Sequence, residues 1–170
     1  MENRNPIQWA ILPLKKYATF RGRAPRAEYW WYILFVAIVG LILGMIDFAL
    51  FGPILGNYYG PLGLTFTLAC AVPGLAVLVR RMHDVGRSGW WALIRVPTYL
   101  TIAAGASPFN VLPALEGLGL PTAILVIGVL AYLILGLAVF LFAVTEGYGG
   151  ANDYGPDPYG AADELEEVFA

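Results

Sequence analysis

The run LGLPTAILVIGVLAYLILGLAVFLFAV, residues 118–144, carries no Asp, Glu, Lys or Arg, and only Thr122 and Tyr132 bring hydroxyls into it. An α-helix rises about 1.5 Å per residue, so about 20 such residues cross a hydrocarbon core of about 30 Å. The run reads as a membrane span.

Working outward from it, three further windows pass the same test. Trp90 to Ala106 is apolar but interrupted by Arg95 and Pro97. Leu62 to Val79 has no charge and opens after Gly60-Pro61; its Pro73-Gly74 pair predicts a kink that neighbouring helices can tolerate. Trp30 to Phe51 is apolar except for Asp47 near its far end. The expected fold is therefore all-α, a polytopic membrane bundle of four transmembrane helices at about 30–51, 62–79, 90–106 and 118–144. These form one domain over residues 1–160, followed by an acidic tail over 161–170. Residues 1–26 offer no uninterrupted apolar core of the signal-peptide kind, so the first span is expected to be retained. Before it, Ile7, Ile11, Leu14 and Ala18 follow helical spacing with Lys15 and Lys16 on the other side, which predicts an amphipathic interfacial segment limited by Pro13.

Composition agrees with the windows. Of 170 residues, 59% are hydrophobic, only 13% are charged, and the net charge is −2. With the 20 glycines the apolar share is about 71%, against roughly 45–50% in average usage. This argues against an ordinary soluble enzyme and against a disordered chain. A single cysteine, Cys70, excludes an intramolecular disulfide framework.

Lysine and arginine set orientation, because they are retained on the cytoplasmic side. Arg4, Lys15, Lys16, Arg21, Arg23 and Arg26 precede the first span; Arg80, Arg81 and Arg87 separate the second and third. The loops at 52–61 and 107–117 have none, and Arg95 lies within the third window. Four spans with both termini in the cytoplasm satisfy every loop. Trp30, Trp31, Trp90 and Trp91 then stand at the cytoplasmic ends of spans one and three, as interfacial anchors. The intramembrane charges sit at opposite depths: Asp47 about 25 Å along span one and Arg95 about 8 Å into span three. They are not expected to pair; Arg95 is expected to snorkel or meet Glu28, and Asp47 to reach outer water.

Three polar stretches abut the spans on one side. They are Phe20-Arg21-Gly22-Arg23-Ala24-Pro25-Arg26-Ala27-Glu28-Tyr29-Trp30-Trp31, Val79-Arg80-Arg81-Met82-His83-Asp84-Val85-Gly86-Arg87-Ser88-Gly89-Trp90-Trp91, and Gly150-Ala151-Asn152-Asp153-Tyr154-Gly155-Pro156-Asp157-Pro158. Together, over about residues 14–158, the chain resembles the bacterial inner-membrane family called domain of unknown function 805. The resemblance implies a small multi-span protein of the bacterial plasma membrane and brings no reaction, substrate or catalytic residue. The chain departs from the shorter family pattern at Arg95-Val96-Pro97 and at Pro108, Pro113 and Glu116.

The residues themselves suggest a polar plate beneath the bundle, in which Arg21, Arg23, Arg26, Arg80, Arg81 and Arg87 engage Glu28, Asp84, Asp153 and Asp157, with His83 held among them. On a continuous helix Arg80 and Asp84 would face each other. Such a plate can organise the spans, or it can bind anionic lipid headgroups or a membrane partner, since each basic residue near an anionic leaflet is worth about 1 kcal/mol. A small transporter or channel acting as a homo-oligomer is the alternative, with Gly40 and Gly44 at the spacing of a small-residue packing motif. His83 and Cys70 lie about 20 Å apart along one helix and cannot share a metal. No catalytic residue, metal or cofactor is expected. Nucleic-acid binding is disfavoured because the basic groups lie at the membrane surface beside carboxylates.

Overall fold

A computed structural model describes residues 4–52, 60–103 and 121–159. Expectations for residues 53–59, 104–120 and 160–170, including the acidic tail and most of the two loops without lysine or arginine, lie outside the described residues. Among those described the chain is all-α: α1 (Pro6–Lys15), α2 (Arg26–Phe51), α3 (Pro61–Asp84), a 3-10 segment (Gly89–Arg95), α4 (Val96–Ala103) and α5 (Thr122–Val144).

Three of these helices, α2, α3 and α5, are long and apolar enough to cross a membrane. The third window departs from expectation. It is a 3-10 segment joined to an eight-residue α-helix, and Pro97 supplies the reason. Proline has no N–H for the Leu93 carbonyl four residues back; the N–H of Val96 turns to that carbonyl instead, in the i→i+3 pattern of a tighter helix. The described part of this window is therefore not one continuous α-helix.

The layers are inverted relative to a soluble domain. α3 is the central helix, whereas α2 and α5 turn most of their apolar surface outward. Leu41, Phe48, Leu133 and Ile134 are each more than half exposed, while the largest fully buried side chains are Arg80 and Arg81. Lipid chains are as apolar as leucine, so exposure of the former is not penalised in a bilayer. The inward apolar core is small: Tyr29, Tyr32, Val77, Leu78, Met82, Ala92, Val139 and Ala143, with Ala24. A Cβ at Gly40, Gly44, Gly128 or Gly136 would have no neighbour within 4 Å, so these glycines make no close helix contact among the described residues.

α1 starts in a capping box between Asn5 and Gln8 and packs against α2 and α3. Its buried residues are Ala10 and Pro13, with Ile7 and Ala18 exposed. Of the stripe expected at Ile7, Ile11, Leu14 and Ala18, Leu14 packs against the core and Ile11 is half-buried, so only its middle pair turns inward.

α3 runs unbroken through Pro73. Proline cannot donate to the carbonyl of Ala69, and that carbonyl receives the Tyr17 hydroxyl at 2.8 Å. The next carbonyl, of Cys70, receives Tyr32 Oη at 2.9 Å. Ala69 lies about 22 Å along α3 from Asp84, so Tyr17 ties the segment after α1 deep into the bundle. Tyr17→Phe is expected to lower the unfolding free energy in detergent by about 1–2 kcal/mol. The same change should cost less in a Pro73→Ala background, where the backbone N–H is restored; equal costs in both would break the link between Tyr17 and the proline.

Candidate functional site

α3 carries its polar end past the apolar window because nothing stops the helix before Gly86. Gly86 has φ +69°, its N–H bonds the His83 carbonyl at 3.0 Å, and the Arg87 N–H bonds the Met82 carbonyl at 2.8 Å. This pair of bonds, closed by a left-handed glycine, is a Schellman ending. Arg80, Arg81, His83 and Asp84 therefore occupy the last turns of a rigid helix. The remaining terminal carbonyls are claimed by other segments: His83 O also accepts from Asn152 Nδ2 at 3.0 Å, and Asp84 O from Tyr148 N–H at 2.7 Å.

Arg81, fully buried, reaches across to the end of α5. Its Nε donates to the Ala143 carbonyl at 3.2 Å and its Nη2 to the Thr145 carbonyl, while Nη1 pairs with Asp84 Oδ2. Carbonyls at a helix C-terminus lack intrahelical partners and carry the negative end of the dipole, so a guanidinium fits there. Trp30 Nε1 also donates to the Ala143 carbonyl at 3.3 Å.

Asp84 is 2% exposed and joins two arginines: Oδ2 accepts from Arg81, and Oδ1 from Arg23 Nε at 3.0 Å. Arg23 then spends both terminal nitrogens on the Gly150 and Tyr148 carbonyls, each at 2.5 Å. A Cβ on Gly147 would lie 2.4 Å from Asp84 Oδ2; glycine lets this strand of backbone pass beside the carboxylate. Arg80 turns to α2, where Nη1 meets Glu28 Oε1 at 2.5 Å. Lys16 Nζ stands 4.0 Å from the other oxygen of Glu28. The expected Arg80–Asp84 pair is not formed, because each residue has a buried partner on another segment.

The other plate residues are arranged differently. His83 Nδ1 lies 3.1 Å from the Gly22 carbonyl, an acceptor, so it carries the proton there; the ring stacks on Tyr154 with centroids 3.9 Å apart. Arg26 pairs with Glu146 at 2.8 Å on the exposed rim. Arg87 lies over the ring of Phe142 instead of against a carboxylate. Arg21 and Asp153 are exposed and form no ion pair among the described residues. Asp157 accepts from the backbone N–H groups of Gly150 at 3.1 Å and Tyr159 at 2.9 Å.

Of the four tryptophans expected as interfacial anchors, Trp31 and Trp90 are exposed, whereas Trp30 and Trp91 turn inward and meet Phe140 and Phe142 edge-on. Arg95 is exposed and interacts with Tyr29 rather than with Glu28. Asp47 does not reach water. It is 2% exposed, and its oxygens accept from the N–H groups of Leu62 at 3.2 Å and Gly63 at 2.8 Å, the first turn of α3. A carboxylate at a helix N-terminus satisfies orphan donors and opposes the positive dipole end. The N-cap residue of α3, Gly60, has no side chain to do this. Sequence reasoning missed this role and that of Tyr17; the signals were a helix starting at Gly60-Pro61 without its own cap, and a mid-helix proline that frees a carbonyl.

No solved structure matches the chain. Among curated proteins it is similar to inner membrane protein YhaI of Escherichia coli, 34% identical over 152 residues that cover 89% of this chain and 96% of that protein. It is also 41% identical to inner membrane protein YhaH of the same organism over 88 residues, covering 52% of this chain and 72% of YhaH. The uncharacterized E. coli protein YiiR is 32% identical over 145 residues, 82% of this chain and 85% of YiiR. The profile of the family described as protein of unknown function (DUF805) matches residues 17–156, which contain the first two polar stretches of the plate and the third as far as Pro156; the chain belongs to that family.

Proposed function

We propose that this protein is a non-enzymatic structural and interaction protein of the bacterial inner membrane, in which the buried plate fixes the helix ends and offers a basic surface to anionic headgroups or a membrane partner. One observation carries the reading: Arg81, from α3, simultaneously holds the last carbonyls of α5 and the carboxylate to which Arg23 is bound. Removing that side chain would release three segments at once. The proposed topology has four spans and both termini in the cytoplasm. It is supported by the one-sided placement of lysine and arginine and by the meeting of the start of α2 with the ends of α3 and α5. The names of the E. coli relatives support the inner membrane as its location.

The alternative, a small transporter or channel subunit acting as an oligomer, gains nothing from Asp47, which is committed to the start of α3. The test is Arg81→Lys, which keeps the charge and loses the fork. An ammonium cannot reproduce the planar spread of contacts, so unfolding free energy in mixed micelles should fall by about 1–3 kcal/mol. Unchanged stability would mean that positive charge alone matters at this position, and the clamp reading would fail.

A further inference from the structure

Beside the plate lies a pocket of about 570 Å3, within the range of about 300–1,000 Å3 typical of small-molecule sites. Its wall comes from three parts of the chain: the N-terminal segment with Arg4, Trp9 and Lys16, the start of α2 with Glu28, and the final turn with Tyr154 and Tyr159. The walls are aromatic and proline-rich, and the charges on them belong to a larger network. Among the described residues, Arg4, Lys16, Arg23, Arg80 and Arg81 of this network outnumber Glu28, Asp84 and Asp157 by two; Arg4, Lys16, Arg23, Glu28 and Asp157 line the pocket itself.

Two further observations bear on that excess. Arg80 does not itself line the pocket; it is 1% exposed, and its Nε and Nη2 are buried without a hydrogen-bond partner among the described residues. Its one carboxylate partner among the described residues, Glu28, lines the pocket and is shared with Lys16 at 4.0 Å. Buried guanidinium charge is costly unless compensated, and here one carboxylate serves two cations. Lys16 is part-exposed on the pocket side of that carboxylate, with a flexible ammonium able to turn toward an anion.

We propose that this pocket binds a glycerol phosphate group, as an anionic phospholipid headgroup or as a soluble ester. Its phosphate lies by Lys16 and Arg4, and its glycerol carbons lie against Trp9, Tyr154 and Tyr159. The inference rests on reading the plate as a recognition surface and names the ligand class and the place. It differs from general attraction of lysine and arginine to an anionic leaflet, because it requires these two cations and not their neighbours.

The experiment uses the purified full chain in a neutral detergent, titrated with sn-glycerol 3-phosphate and separately with dihexanoyl phosphatidylglycerol, with dihexanoyl phosphatidylcholine as the uncharged comparison. Tryptophan fluorescence reports binding. Saturable binding of phosphatidylglycerol alone assigns the site to a lipid headgroup; binding of both anionic probes assigns it to the phosphate ester itself. In either case Lys16→Gln should weaken affinity about tenfold, the loss of one charge-assisted hydrogen bond, and Arg4→Gln, a change in the terminal segment outside the helices, should weaken it as well. Lys15→Gln, which removes the same charge from an exposed neighbour outside the pocket, should leave affinity within about twofold. Binding of neither anionic probe overturns the proposal, as does equal weakening by the changes at positions 15 and 16, or equal binding of phosphatidylcholine. The clamp is judged separately by the stability of Arg81→Lys without ligand, so either can fail while the other stands.

Discussion

Replacing Asp84 with asparagine should be among the most damaging changes that this protein can suffer at constant side-chain volume. The carboxylate holds Arg23 and Arg81, both buried. An amide supplies one acceptor where there were two, turns a donor toward a guanidinium, and removes the charge. Breaking a buried ion pair from one side costs about 3–5 kcal/mol, because the partner stays buried and uncompensated. Asp84→Asn is therefore expected to reduce unfolding free energy by about that amount in mixed micelles. Asp153→Asn, at an exposed position in the same polar face, should stay within about 0.5 kcal/mol. Comparable losses in the two variants would mean that the plate senses total charge and not the geometry around Asp84.

The second large effect is at Glu28, 1% exposed and set between Arg80 and Lys16. Glu28→Gln preserves an acceptor for Arg80 Nη1 but leaves a guanidinium buried with no opposite charge, for an expected loss of about 3 kcal/mol or more. The informative variant is the double change Glu28→Gln with Arg80→Met. Replacing both members of a buried pair by neutral groups of similar size is often neutral or stabilising. The double variant should recover most of the loss, and a double-mutant cycle measures how much. If the losses simply add, Glu28 supports the fold through something other than Arg80.

The apolar windows were legible because span length is dictated by bilayer thickness and a run without charge has few alternatives. α2, α3 and α5 follow directly from them. The 3-10 segment at Gly89–Arg95 was less legible: Arg95 and Pro97 announced an interruption, but which hydrogen bond would replace the lost one depends on local backbone geometry. The plate was legible as a set of residues on one side of the spans, and much less as a set of pairs. Arg80 and Asp84 have the spacing of helix neighbours, yet Glu28 and Arg23 arrive from other segments and take them. Arg87, whose place among the plate residues predicts a carboxylate partner, lies over an aromatic ring instead. Sequence spacing ranks partners on the same helix; it carries no information about competitors that approach from 50 or more residues away. The acceptors that Arg81 uses on α5 are backbone carbonyls, which every sequence possesses and none advertises.

Asp47 and Glu28 have a joint consequence. Both lie on α2, 19 residues apart, about 28 Å along the axis at about 1.5 Å per residue. Each is almost fully buried and each holds the facing helix, Glu28 near the last turn of α3 and Asp47 at its first. The two helices are thus pinned at both ends, with a span between pins close to the thickness of a hydrocarbon core of about 30 Å. A slide of α2 along α3 by even one residue would break both pins together, so this hairpin behaves as a strut of fixed vertical register. Rearrangement of the bundle must therefore come from how α4 and α5 lean against that strut.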